Sequence, residues 1–240
     1  MDVSQPAYIL HSRPYRETSV IATLLTPEHG KLNAVIKGAR SKGKRSTSKG
    51  AVLQPFQKLL VEWREKPNST SDLVSLRGFE ADTLRFPLEA ESSFCGLYLN
   101  EILYRLLYNG VAVDSLFEQY EQALFSLLRS QNRSEQAWVL RQFEFQLLEA
   151  MGLNLNCETD VNHQPIQSGV NYLFYPEMGA YPVNGEETGG NGVPISGECL
   201  LLLSNLEFCE NCLPSWKRLL RHVLSLYLGS KPILSRQLFR

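Results

Sequence analysis

The residues best suited to chemistry in this chain are cations. Between His29 and Val61 stand eight Lys or Arg residues and no Asp or Glu: Lys31, Lys37, Arg40, Lys42, Lys44, Arg45, Lys49 and Lys58. Most lie in Val35–Phe56, a stretch that leaves one apolar run, crosses a Gly- and Ser-rich loop and enters another. A segment so cationic repels itself and is ordered best by an anionic partner. Phosphate is the usual one, because each cation placed on it releases a condensed counterion. A solvated, flexible surface loop is the competing reading of the same residues. The lack of any carboxylate to balance the charge favours binding.

Other chemistry is poorly supported. Gly38–Lys44 fits G-x-x-x-x-G-K, but Arg45 stands where a phosphate-binding loop needs Ser or Thr for magnesium. Gly50 and Pro55 interrupt the helix that should follow. A phosphate-handling enzyme is therefore the weaker alternative. Cys209 and Cys212 form a C-x-x-C pair, whereas a structural zinc site needs four ligands. Cys157, Cys199 and His163 are wrongly spaced to complete it, so reduced cysteines near a helix start are expected. His11, His29, His163 and His222 have no partner visible in the sequence, and Glu186–Glu187 fall in a Gly-rich loop where no general base would be held firmly. No catalytic residue, metal or cofactor is expected.

A second basic feature lies near the end. Trp216, Leu219, Leu220, Val223, Leu224 and Tyr227 recur at helical spacing, flanked by Lys217, Arg218, Arg221 and His222, and no acidic residue follows Glu210. Lys217 and Arg218 sit near the helix start, where the dipole disfavours cations. An apolar groove with a cationic rim suits an acidic peptide that ends in a hydrophobic residue. An ordinary amphipathic core helix with a wet basic face is the alternative.

The elements that must position these groups divide the chain in two. Residues 7–13 and 18–26, with a turn at Arg13–Arg16, then Lys31–Lys37, a strand ending at Val61–Arg64, and Asp72–Glu80 read as five short strands. Five strands in about 80 residues suit a small barrel of the oligonucleotide-binding (OB) type. Of its aromatics (Tyr8, Tyr15, Phe56, Trp63, Phe79), Tyr15 is the best placed to be exposed. From Phe86 the period becomes helical: Ser92–Asn109, Asp114–Arg129 with Asp114 as its cap, and Ser134–Met151 stopped by Gly152. An irregular stretch, 153–197, contains a possible hairpin at Tyr172–Pro176 and Gly179–Val183. A short helix at Ser196–Asn205 and a last one from Pro214 to Leu228 complete an α+β chain: 1–80 a nucleic-acid module, 81–240 mainly helical.

The charge follows that division. The net charge is −1, but residues 1–80 hold 13 basic and 7 acidic side chains, against 11 and 18 in 81–240. There is no apolar run long enough for a membrane span, and the first 20 residues lack a secretory h-region. Five cysteines, an odd number, argue against a disulfide framework and for a reducing cytoplasm.

Several segments together resemble one family. Leu10–Pro14 (LHSRP) with Glu17–Ser19, Lys37–Lys42 (KGARSK), Lys49–Gly50, Leu53–Phe56 (LQPF), Gly96–Leu103 and Gly229–Arg240 (GSKPILSRQLFR) are similar to the RecO family of DNA repair and recombination mediators. The resemblance implies an N-terminal OB fold, a helical C-terminal domain and no catalysis. It implies binding of single- and double-stranded DNA, annealing of complementary strands and, with RecR, loading of RecA on strands coated by single-stranded DNA-binding protein (SSB). The expected DNA contacts are Arg13, Arg16, Lys37, Arg40, Lys42, Lys44, Arg45 and Lys49. The acidic, Phe-terminated SSB tail would meet Arg141, Lys217, Arg218, Leu220, Arg221 and Leu224, of which Arg141 matches a family position implicated in that contact. A cytoplasmic, nucleoid-associated location follows. Many relatives carry a four-cysteine zinc site; here Cys157 lacks a C-x-x-C companion, and the packing of 153–197 is expected to replace the metal.

Overall fold

The computed structural model describes residues 1–40, 50–65, 72–183 and 191–239. They form two compact units, one of Met1–Arg129 with Pro232–Arg240, the other of Ser130–Lys231.

The first unit opens with five strands: β1 (Asp2–Tyr15), β2 (Ser19–Thr26), β3 (Gly30–Ile36), β4 (Gln57–Arg64) and β5 (Leu73–Arg85). They pair in the order β1-β2-β3-β5-β4, and β4 returns to β1. All contacts are antiparallel except the short parallel β3–β5 match at Asn33↔Leu73. β1 is longer than its apolar pattern suggests because residues 2–7 pair with β4 while 8–15 pair with β2. The barrel core follows the alternation of a half-buried strand: Ala7, Ile9, Ala22, Leu24, Leu32, Ala34, Ile36, Leu59, Val61 and Trp63 face inward.

One irregularity decides what the barrel presents to solvent. Tyr8 pairs with Leu25, Ile9 with Leu24, but His11 with Thr23, so Leu10 is an extra residue in β1. Such a bulge reverses the side-chain parity of the strand beyond it. Before it, the odd residues Ala7 and Ile9 point into the core. After it, His11, Arg13 and Tyr15 lie opposite Thr23, Ile21 and Ser19, on the outer face. The Asn100 side-chain amide donates to the Ile9 carbonyl at the bulge, 3.3 Å, while its oxygen accepts from Tyr120, 2.5 Å.

Asn100 belongs to α1 (Ala90–Leu106) and Tyr120 to α2 (Leu116–Arg129). α2 begins two residues after Asp114, because Ser115 adopts φ +59°, so Asp114 is not its cap. α2 covers Tyr8, which packs against Phe86, Phe117 and Tyr120 and donates to Glu121 at 2.6 Å. Burial, with Glu121 beside it, raises the Tyr8 pKa, so the phenol stays a donor. Gly96 faces the ring of Phe56 so closely that a Cβ would stand 2.7 Å from it. The last turn, Leu234–Phe239, returns to this unit: Glu101 accepts from the amides of Leu234 and Ser235 at 2.8 and 2.7 Å, with Arg105 at 3.7 Å.

The second unit holds α3 (Arg133–Ala150), a sheet ordered β7-β6-β8 (β6 Asn171–Tyr175, β7 Gly179–Pro182, β8 Val193–Ser196), α4 (Gly197–Ser204) and α5 (Leu213–Leu228). Asn132 caps α3 by accepting from the Glu135 amide, while Glu135 accepts from the Gln131 amide. Gly152, at φ +77°, follows its end. The hairpin at 171–182 matches the sequence reading; β8 was not expected, since VPIS is too short to carry a period. One correction concerns the cysteines. Cys199 and Cys212 are joined as a disulfide that ties the first turn of α4 to the start of α5, so Cys212 is neither reduced nor coupled to Cys209. Spacing along the chain could not reveal it, because the pair spans 13 residues and forms only when the two helices dock.

Two outcomes check the first unit. Gly96→Ala forces the Phe56 ring from a packed site and should destabilise by about 1–3 kcal/mol despite the better helix propensity of Ala, read as a fall in melting temperature of roughly 2–12 °C. Burial alone would raise the Glu101 pKa, but the Ser235 and Leu234 donors and Arg105 hold it below the usual value. A depressed carboxylate contributes stability above its unfolded pKa and loses it as pH falls through the folded one. The Leu234 and Ser235 amides should therefore be protected at neutral pH and lose protection, relative to intrinsic exchange, only below about pH 4.5. Glu101→Gln should weaken that protection at neutral pH, and hydrogen exchange measures both.

Candidate nucleic-acid interface

The outer face of β1–β2–β3 is built by register. His11, Arg13 and Tyr15 from β1 lie beside Thr23 and Ile21 from β2, which in turn face Asn33 and Val35 of β3. Lys31 follows on the same side of β3, opposite Leu25. The Thr23 hydroxyl donates to the Asn33 side-chain oxygen at 2.7 Å. From α1, Tyr104 leans over this face: its ring lies 4.9 Å from that of His11, and the Lys31 ammonium donates to its carbonyl at 3.0 Å. His11, Arg13, Ile21, Thr23, Asn33 and Tyr104 bound a cavity of about 470 Å³, lined also by Asp72 and Leu73.

The expected DNA contacts that are described fall around this surface. Arg13 is exposed on the outer face. Arg16, in the β1–β2 turn at φ +53°, holds its guanidinium 5.1 Å from the Tyr15 ring centre. Lys37 is exposed just past β3. Arg40 is exposed while its amide donates to the Thr18 carbonyl, 2.9 Å, so the start of the basic loop is fastened to the β1–β2 turn. Lys42, Lys44, Arg45 and Lys49 lie outside the described residues. Lys58 is a different kind of cation: it is ion-paired to Glu121 at 2.7 Å and packs over Phe117. Among the aromatics, Tyr8, Phe56 and Trp63 are core, whereas Tyr15 and Phe79 are partly exposed. Sequence reasoning did not bring Tyr104 or Asn33 to this face and found no partner for His11. The alternation His11-x-Arg13-x-Tyr15 was visible, but only the bulge decides which way it faces.

The second unit carries the other basic surface. Lys217, Arg218 and Arg221 are exposed on α5, while Leu220 and Leu224 are fully buried with Trp216, Leu219 and Val223. A partner on this face would meet the side chains around those leucines and not the leucines themselves. Tyr227, which shares the apolar period, is exposed. Arg218 donates to the Pro194 carbonyl and borders a cavity of about 480 Å³ floored by Leu173, Ile195 and the Cys199–Cys212 pair. Arg141 on α3 is buried, not exposed, and bonded to Glu144 at 3.0 Å, yet its Nε and Nη1 have no hydrogen-bond partner among the described residues. Buried Cys157 is a thiol: burial, then Glu149 and Glu158, push its pKa up to about 12. Among the described residues no cluster of three or more His, Cys, Asp or Glu is placed to hold a metal.

Five strands paired in this order, with a cationic outer face and helices after them, define a two-part protein of the oligonucleotide-binding-barrel class. The description "Recombination protein O N terminal" matches residues 1–81, and "Recombination protein O C terminal" matches 88–237. Three curated relatives are each called DNA repair protein RecO. That of Cellvibrio japonicus is 39% identical, covering 98% of this chain and 95% of its own length. That of Nitrosococcus oceani is 37% identical over 98% and 92%, and that of Yersinia pestis 37% over 100% and 95%. The chain belongs to the recombination protein O family. A solved asparaginyl-tRNA synthetase from Entamoeba histolytica aligns at 16% identity and TM-score 0.27, with 41% of its length covered, and supports no structural argument.

Breaking a buried ion pair leaves the other charge uncompensated, at about 3–5 kcal/mol. Arg141→Ala should therefore lower the melting temperature strongly, whereas replacing Arg141 and Glu144 together with Met and Leu should recover most of the loss. Thermal denaturation of the two variants measures it.

Proposed function

We propose that this chain is a non-enzymatic mediator that binds single- and double-stranded DNA on the first unit, anneals complementary strands and, with RecR, helps to load RecA on SSB-coated strands. Family membership carries the coarser role, in DNA repair and recombination. The observation that carries the finer one is the cationic outer face of the barrel, where Arg13, Arg16, Lys37 and Arg40 gather at the mouth of the basic loop. Cations on long stems hold phosphates without reading base edges, so binding should be general in sequence. Annealing follows when one surface neutralises two strands and lowers their mutual repulsion.

The α5 face suits an acidic tail. Exposed Lys217, Arg218 and Arg221 supply charge for a carboxylate, and the cavity beside Arg218 takes an apolar terminal residue. The SSB tail is the partner we assign there. A cytoplasmic, nucleoid-associated location suits this role; the Cys199–Cys212 bond would then face a reducing compartment that opposes it.

With about six phosphates engaged, log K should fall with log salt at a slope of about −4 to −5. Replacing Arg40, Lys42, Lys44 and Arg45 by Ala should weaken binding to all sequences alike and flatten that slope. Equal binding by this variant at low salt would remove the loop from the account. Arg221→Glu should abolish binding of an acidic, Phe-terminated peptide without changing DNA affinity, which separates the tail site from the DNA site.

A further inference from the structure

We propose that His11, Asn33 and Tyr104 form a seat for one unpaired nucleobase of single-stranded nucleic acid. The inference deepens the DNA-binding reading and rests on it. Tyr104 is 40% exposed, whereas Tyr98 on the same helix is buried. Its backbone is held by the Lys31 ammonium and its ring is tilted 42° to that of His11. Two aromatic rings thus stand at the rim of a cavity of about 470 Å³, within the size range of small-ligand sites.

The floor of the cavity is polar and half satisfied. Thr23 donates to the Asn33 oxygen, which leaves the two N–H donors of that amide with no partner among the described residues. They suit a carbonyl or ring nitrogen on a base edge, and Asp72, which lines the same cavity, suits an exocyclic amine. Arg13, two residues from His11 on the same outer face, stands where the adjoining phosphate would run; Asp72 keeps phosphate off its own side. Stacking on Tyr104 needs an exposed base face, and pairing with Asn33 needs a free edge. A base inside a duplex has neither, so the seat selects single strands. Beyond Arg13, Tyr15 with the Arg16 guanidinium over its ring continues the alternation of aromatic and cation along the strand.

The test uses the full chain, a labelled single-stranded oligonucleotide, its fully abasic counterpart and a duplex. Tyr104→Ala should weaken binding of the single strand about 5- to 150-fold, the range for loss of one stacked base, while Tyr104→Phe stays near wild type. Asn33→Ala should weaken it about 5-fold, as for one hydrogen bond. The abasic strand and the duplex should bind wild type and Tyr104→Ala alike, with the same salt slope, because no phosphate contact is lost. A Tyr104→Ala protein that binds the single strand as wild type does, or that loses abasic strand and duplex to the same degree, overturns the seat alone. A wild-type chain that binds no single strand overturns the seat together with the DNA-binding reading.

Discussion

β1 serves two partners, and the rest of the first unit depends on that. Its first six residues pair with β4 and its last eight with β2, so the ring of strands closes only if one strand runs past the point where its neighbours change. The extra residue, Leu10, follows that change by two residues of normal pairing, Tyr8 and Ile9. It allows the strand to turn its odd side chains from the core to the surface without an apolar residue being stranded in water. Ala7 and Ile9 fill the barrel, and His11, Arg13 and Tyr15 arm its exterior. A bulge leaves ladder groups unpaired, and here the Ile9 carbonyl is met by Asn100, itself fixed by Tyr120. The surface assigned to DNA is thus held from below by a buried polar chain running into two helices.

The same economy of polar contacts recurs elsewhere. Tyr8 and Lys58 converge on Glu121, which spends one of the basic stretch's cations on packing rather than on ligand. Glu101 holds the returning C-terminal turn by two amides, placing a carboxylate where unpaired N–H groups begin a helix. In the second unit Trp216 donates to the Cys199 carbonyl at 2.7 Å, and the Cys199–Cys212 bond reinforces the same junction. α5 is therefore fixed at its start, where the exposed cations lie.

Much of this was legible in the sequence because it is local. β-branched and aromatic runs marked the strands, Gly152 marked the end of a helix, and the hairpin at Tyr172–Val183 was read in the sequence. What was not legible depends on pairing across distance. Residues 2–6 lack a strand pattern and become strand because β4 lies beside them. Asp114 looks like a cap, but the chain turns at Ser115 first. Leu220 and Leu224 carry the right period for a groove and are instead core, since periodicity gives a face and not its covering. Tyr104 was counted as neither core nor site, because only its nearness to His11 makes it either.

The central claim is that DNA lies along the outer face of β1–β2–β3, beside the basic loop. Amide hydrogen exchange of the full chain, free and saturated with a single-stranded oligonucleotide, tests it directly. The account predicts new protection in residues 11–16, 20–23 and 31–40 and little change in α5. Protection confined to α5, with the barrel strands unmoved, would contradict it.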